Sequence, residues 1–289
     1  MARSEQLAML FPGQGSQTAD MRDQVERHRP DLLELAQAEV SDDLFERAGD
    51  GTRWAQPAIF CAALAGYEVL KDRHEPDLMA GHSLGEISAL VAAGALDAED
   101  GLRLVAARGR LMQEAAEETG DGGMLAVRAR DRATVEQVAT QAGLSIANDN
   151  APDQLVLSGA LAALDEAESL LREQRVRAKR LPVAGAFHSP LMEPAVEPFR
   201  RLAEHVEVRA PGVPVLSCVT AAPFEDVREQ LVQAIVSPVR WTDVMTALHD
   251  LGATRYVETG PGRVLTNLVR KSLDDVEAEA PLAMEAANA

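Results

Sequence analysis

The chain has 289 residues and a formal net charge of −18 at pH 7. So acidic a balance argues against nucleic acid or an anionic membrane as a partner, and leaves an acidic partner only a local basic patch to bind. Aromatic residues make up only 3%, so the core has to be built mainly from Leu, Val and Ala.

The length suits one large domain or a large domain with an insertion. Cys61 and Cys218 both sit in apolar surroundings and are read as buried free thiols rather than a disulfide. No metal-ligand spacing is present. The apolar run near the N-terminus is too short for a signal peptide, and no segment approaches ~20 apolar residues. A cytoplasmic protein is therefore expected.

In chain order, QLAMLF at 6–11 reads as a short buried strand ending in the turn PGQG. Residues 21–48 read as polar helices. Residues 54–72 carry apolar side chains at helical spacing, with Pro57 expected in the first turn. PDLMA is a second short strand. It runs into GHSLGE at 81–86, and 84–93 is apolar on most sides, which predicts a buried helix. A further helix over 98–116 carries Arg103, Arg108 and Arg110.

The rhythm then changes. GGMLAVRA at 122–129 is a strand, and DRATVEQVATQAG a helix with an Asp start and a Gly stop. LSIANDN and QLVLSG are strands about a turn at 150–153, ALAALDEAESLLREQ is a helix and VRAKRLPVAG a strand. The order β-α-β-β-α-β is the ferredoxin-like signature. It is read as a subdomain inserted over 119–186, between two parts of a catalytic domain, 1–118 and 187–289. The chain returns to a helix over 189–205, the strand VPVLSC, helices over 225–236 and 240–250, the strand TRYVET, a GPG turn and a helix over 263–273. Residues 274–289 read as a frayed acidic tail. Strands alternating with helices predict an α/β fold with a mostly parallel sheet in the large domain.

GHSLGE holds the pattern G-x-S-x-G between a strand and a helix, the setting of a nucleophile elbow. Gly81 and Gly85 would remove side chains that collide as strand and helix fold back, and the helix N-terminus would favour a developing oxyanion at Ser83. The alternative is a serine capping the helix. A nucleophilic serine needs a base. Of the six histidines, His28, His74 and His205 lie in charged segments, His249 lies on a charged helix, and His82 should point away from its neighbour Ser83. His188, in GAFHSPLM, lies on a loop that could meet a strand end. Its alternative is an ordinary loop histidine.

Together these stretches resemble the malonyl-CoA:acyl carrier protein transacylase family. FPGQGSQ (11–17), GHSLGE (81–86), RGRLMQ (108–113), GAFHSPLM (185–192), SPVRW (237–241) and ETGPGRVLTNL (258–268) look like that family's blocks, in its order, over nearly the whole chain. The resemblance implies an α/β-hydrolase-like domain with a ferredoxin-like insertion. It implies transfer of malonyl from malonyl-CoA to Ser83, with His188 as general base, and then to the phosphopantetheine thiol of an acyl carrier protein, with no bound cofactor. By the same resemblance the backbone N–H groups of Gln14 and Leu84 form the oxyanion hole, Arg108 binds the malonyl carboxylate, and Gln56 and Phe187 line the acyl pocket. A bulky residue at Phe187 goes with malonyl rather than methylmalonyl. Asn148 and Asn150 match family asparagines near the cleft. Many members have glutamine four residues before the proline of PVRW, where its carbonyl orients the histidine. Here that position is Ala234, and a backbone carbonyl needs no particular side chain.

The stretch 172–180 holds Arg172, Arg175, Arg177, Lys179 and Arg180. On a strand, 175, 177 and 179 would project to one side and offer a docking stripe for an acidic carrier protein. Arg263, Arg270 and Lys271 are a second candidate. A monomer is expected. Three other readings compete: a serine hydrolase, with Asp149 or Asp153 as its acid, a stand-alone acyltransferase serving a polyketide synthase, and a non-catalytic subunit.

Overall fold

The computed structural model describes residues 6–40, 43–183 and 185–286. Its elements begin with β1 (Gln6–Phe11), α1 (Met21–His28), α2 (Pro30–Glu39), α3 (Thr52–Leu70), β2 (Leu78–Gly81), α4 (Gly85–Ala92) and α5 (Ala98–Thr119). Next come β3 (Gly122–Arg128), α6 (Arg132–Ala142), β4 (Ser145–Ala151), β5 (Gln154–Ala160), α7 (Leu161–Glu173) and β6 (Arg177–Arg180). A short 3-10 helix at Pro190–Met192 precedes α8 (Glu193–Ala203), β7 (Val215–Leu216), α9 (Val227–Gln233), α10 (Trp241–Asp250) and β8 (Ala253–Glu258). The chain ends in α11 (Val264–Ser272), β9 (Glu277–Glu279) and α12 (Pro281–Ala286).

Five strands form one parallel sheet in the order β7-β2-β1-β8-β9. β2 and residues 7–11 of β1 are apolar and buried because both faces of the sheet are covered there, whereas β8 keeps Thr254 and Arg255 half-buried. Along β1, Leu7, Met9 and Phe11 enter the core built with α3, α4 and α5, while Ala8 and Leu10 enter a second core with α10 and α11. β8 divides likewise, with Val257 on the first side and Tyr256 on the second. α3 starts at Thr52, so Pro57 lies inside the helix and not in its first turn. Its missing N–H withholds a donor from the preceding turn. This helix is buried along most of its length. A Cβ on Gly66 would lie 1.8 Å from the carbonyl oxygen of Thr259, so only glycine allows the helix to pass the end of β8.

The second sheet is antiparallel, in the order β4-β5-β3-β6. Numbered within this unit, that order is 2-3-1-4, the ferredoxin-like arrangement. It has a core of its own, with Leu125, Val127, Leu155 and Leu157 packed on Leu164 and Leu171 of α7 and Val135 of α6. Met124 and Val156, on the opposite face, join the core of the large domain instead. The edge of β4 is stitched to the segment before α10, where Asp149 N donates to Val239 O at 2.9 Å and Val239 N to Ala147 O at 2.8 Å.

Two further expectations fail here. The acidic tail is not frayed throughout: β9 adds a parallel strand to β8, pairing Arg255 with Glu277 and Val257 with Glu279. Arg255 also forms ion pairs with both glutamates, which offsets the low β-propensity of that acidic segment. Residues 287–289 of the expected tail lie outside the described residues. The last strand of the small sheet is only Arg177–Arg180, and Arg175 lies before it in a left-handed turn (φ 59°). Arg175 therefore does not share the strand face that Arg177 and Lys179 present to solvent.

Candidate active site

The elbow is built by close backbone approach. β2 ends at Gly81 and α4 begins at Gly85. A Cβ on Gly81 would lie 1.9 Å from the backbone of Gly85, and one on Gly85 would lie 2.2 Å from the carbonyl oxygen of Phe11. Between them Ser83 adopts φ 55°, a left-handed conformation that non-glycine residues rarely take. Ser83 does not cap the helix. The residue at the cap position is Leu84, and no side chain caps α4.

The Ser83 hydroxyl instead meets two side chains. Its Oγ lies 2.8 Å from His188 Nε2 and accepts from Arg108 Nη2 at 3.1 Å. His188 comes from the loop before the 3-10 helix and is itself left-handed, at φ 56°. Its Nδ1 lies 2.9 Å from the Ala234 carbonyl oxygen and 3.1 Å from that of Ser237. Carbonyls only accept, so Nδ1 carries the proton and Nε2 is left bare to accept from Ser83. Burial, with the Arg108 charge and His82 nearby, pushes the His188 pKa down to about 3. The imidazole is thus a neutral base at physiological pH. Among the described residues no carboxylate bonds the ring, and Asp149 is engaged instead by both terminal nitrogens of Arg132 and by Thr242 Oγ1.

Arg108 is 3% exposed and lies on the inward face of α5. Its Nη1 donates to Gln56 Oε1 at 2.8 Å. Among the described residues no carboxylate lies within 4 Å of it, unlike Arg103 and Arg110 on the outer face, which pair with Glu99 and Glu114. Burial lowers its pKa to about 10, which leaves it charged. Gln14, Gln56, Leu84, Phe187 and both members of the serine–histidine pair line one cavity of about 290 Å³. Gly13 lets the PGQG turn press against the elbow, since a Cβ there would lie 2.5 Å from His82 O. Among the described residues neither the Gln14 nor the Leu84 amide is taken by an acceptor.

Other polar groups support the cavity, and of these only Glu86 and Glu258 escape a motif-by-motif reading. His82 turns away from Ser83, as expected, and bonds Asn150 Oδ1 on β4 at 2.8 Å. Asn148 bridges to Val239. Glu86, 1% exposed, accepts from Cys218 N at 2.6 Å, and burial raises its pKa to about 7. Glu258 accepts from Leu265 N, Thr266 N and Thr266 Oγ1, which fixes the start of α11 at the cavity mouth. The available signal was an acidic residue inside an apolar run, GEISALVAA and RYVETG. Cys61 and Cys218 are buried free thiols.

The family profile described as "Acyl transferase domain" matches residues 8–286. The chain belongs to the acyl transferase domain family. This acyl transferase domain is 37% identical over 295 residues to the malonyl CoA-acyl carrier protein transacylase of Haemophilus influenzae, covering 95% of this chain and 94% of that one. It is 41% identical over 282 residues to the polyketide biosynthesis protein ThaF of Burkholderia thailandensis, covering 92% of this chain but only 24% of that protein. Among solved structures it resembles a malonyl-transacylase described in complex with its type II polyketide carrier protein, with TM-score 0.89 and 32% identity over 98% of this chain and 100% of that one. The resemblance drawn from the six sequence blocks and the α/β-hydrolase-like fold with its ferredoxin-like small domain both hold.

Of the carrier-docking candidates, Arg172, Arg175, Arg177 and Lys179 are exposed. Arg180 is not free for a partner. Its guanidinium pairs with Asp165 at 2.6 Å and Glu168 at 3.3 Å, because its side chain turns from β6 toward the acidic face of α7. Lys271 is likewise near Asp153, at 3.6 Å. Among the described residues no helix is long and apolar enough to cross a membrane.

Proposed function

We propose that the protein transfers a malonyl group from malonyl-CoA to the phosphopantetheine thiol of an acyl carrier protein, through an ester on Ser83. The observation that carries this reading is the position of Ser83 Oγ, within hydrogen-bond reach of both a neutral imidazole and a buried guanidinium. His188 Nε2 takes the hydroxyl proton as Oγ attacks the thioester carbonyl. The amides of Gln14 and Leu84 hold the oxyanion. The intermediate collapses, His188 returns the proton to the CoA sulfur, and malonyl-Ser83 remains. The carrier thiol then gives its proton to His188 and attacks the ester, and the serine leaves with that proton. The carbonyls of Ala234 and Ser237 keep the ring in the productive tautomer throughout. Each can also stabilise the imidazolium that forms.

Arg108 selects the acyl group. A buried guanidinium with no carboxylate within 4 Å among the described residues favours an acyl chain that brings one. A hydrolase has less support, since Ser–His hydrolases of this fold use an acid on the histidine, and here that nitrogen faces two carbonyls. The likeness to ThaF favours, as a second reading of the acceptor, a carrier protein of polyketide synthesis. We take 119–186 as the inserted subdomain, supported by its separate sheet and core. Arg172, Arg175, Arg177 and Lys179 on it are the docking surface. The protein is read as a cytoplasmic monomer that binds no cofactor.

The test is incubation with malonyl-, methylmalonyl- and acetyl-CoA, followed by intact mass. A malonyl adduct lost in Ser83→Ala supports the reading, and equally ready acetyl labelling removes the role of Arg108. Adding carrier proteins of fatty-acid and polyketide type then separates the two acceptors.

A further inference from the structure

A polar chain runs from the cavity's entry loop to its nucleophile through one residue with no assigned role. Thr52 and Gln56 are four apart on α3 and therefore share a helix face. Gln56 Nε2 donates to Thr52 Oγ1 at 2.9 Å, and Thr52 Oγ1 donates to Gln14 Oε1 at 2.8 Å. At the other end Arg108 Nη1 donates to Gln56 Oε1 at 2.8 Å, and Nη2 to Ser83 Oγ at 3.1 Å. Thr52, Gln56 and Arg108 are 4%, 2% and 3% exposed, so water does not compete for these groups.

The direction of the bonds from Arg108 to Thr52 is forced. Arg108 can only donate, so Gln56 must turn its Oε1 toward it. The amide NH2 then faces Thr52 Oγ1 and Met112 Sδ, and both must accept. A hydroxyl that accepts from Gln56 has its single proton left to give, and Gln14 Oε1 is the acceptor in place. Were Thr52 to donate to Gln56 instead, the amide would reverse and press its NH2 on a guanidinium. The approach of the helices is built for this contact. A Cβ on Gly109, next to Arg108, would lie 2.7 Å from Thr52 O.

We infer that Thr52 is a positioning residue for acyl selection, which locks the Gln56 amide so that Arg108 is held with a free edge for the substrate carboxylate. It thereby ties that arginine to the loop carrying the Gln14 amide. The inference rests on the malonyl-transfer reading. Acetyl, which has no carboxylate, does not use that edge. A loss of positioning therefore separates the two acyl groups, whereas a loss of packing slows both.

The experiment measures rate constants for ester formation on Ser83 from malonyl-CoA and acetyl-CoA in wild type, Thr52→Val and Thr52→Ser. Thr52→Val keeps the shape and removes the hydroxyl. It is expected to lower the malonyl-to-acetyl ratio about tenfold, the size of one hydrogen bond on a charged group's partner. Thr52→Ser is expected to restore it to within about twofold, since the hydroxyl returns. An unchanged ratio in Thr52→Val, or an equal loss with both donors, overturns the inference while leaving malonyl transfer intact. A wild type that forms no malonyl ester overturns the transfer reading, and this inference falls with it. Should Thr52→Val fail to fold, Gln14→Ala removes the hydroxyl's acceptor from the exposed end. It is expected to lower the ratio about threefold, part of one hydrogen bond, and an unchanged ratio there is equally decisive.

Discussion

The floor of the cavity and the basic edge of the inserted subdomain both display arginine, and they use it in opposite ways. Arg108 is buried, and its two observed partners, Gln56 and Ser83, are uncharged. Arg175, Arg177 and Lys179 are exposed, and their neighbour Arg180 is already consumed by Asp165 and Glu168. A cation whose hydrogen-bond partners are neutral, with Glu86 acting on it only from beyond contact, favours a ligand that brings a carboxylate into direct reach. Cations in water attract many anions, are screened by salt, and select little beyond sign. Under the proposed function, choosing the acyl group falls to the floor and gathering an acidic carrier to the edge.

The sharpest break in that division is at the nucleophile. Ser83→Ala should abolish ester formation, a loss on the order of 10⁴-fold or more by quenched mass analysis, while leaving carrier binding unchanged. Next comes Arg108→Ala, expected to lower the preference for malonyl over acetyl by about 100-fold, the scale of a desolvated charge-assisted pair. The double substitution Arg175→Glu with Arg177→Glu should raise the apparent KM for carrier protein up to about tenfold at low salt and less at high salt, with hydrolysis of malonyl-CoA unaffected. Equal effects on both substrates would dissolve the contrast between floor and edge.

Smaller effects test the base. A histidine at its ordinary value would be protonated, and lost as a base, as pH falls through 6.5. With the His188 pKa near 3, ester formation should stay flat through that range. Stability carries the matching sign. Between about 3 and 6.5 the unfolded chain takes up a proton that native His188 refuses, so this group lowers stability as pH falls. Glu86 acts the other way. Its native pKa near 7 exceeds the ordinary 4.5, so its contribution to stability is lost as pH rises through that interval. A pH-melting series on Glu86→Gln should remove that component. The smallest effect is expected from Ala234→Gln, within about twofold in rate, because only a carbonyl oxygen meets His188.

Much of this was legible in the sequence because it rests on local rules. The strand–glycine–serine–glycine–helix run reads as an elbow since only glycine tolerates the backbone contacts at 81 and 85. The ferredoxin-like unit reads from its alternating periods. What escaped depends on distant partners. Glu277–Glu279 is a poor strand by composition and joins the sheet because Arg255 stands beside it. Thr52 looks like an ordinary helix start until Gln14, 38 residues away in sequence, supplies its acceptor. Arg180 looked available because its acidic partners come from the preceding helix.

The left-handed backbone at Ser83 and His188 sets the protein's own interest against its chemistry. Each position holds an L-residue where glycine would relax, at a strain of about 1–2 kcal/mol. Variants chosen only for heat resistance would therefore drift toward glycine at 83 or 188 and emerge sturdier and inert. A library screened for melting temperature should be expected to discard the proposed nucleophile or base unless turnover is scored alongside.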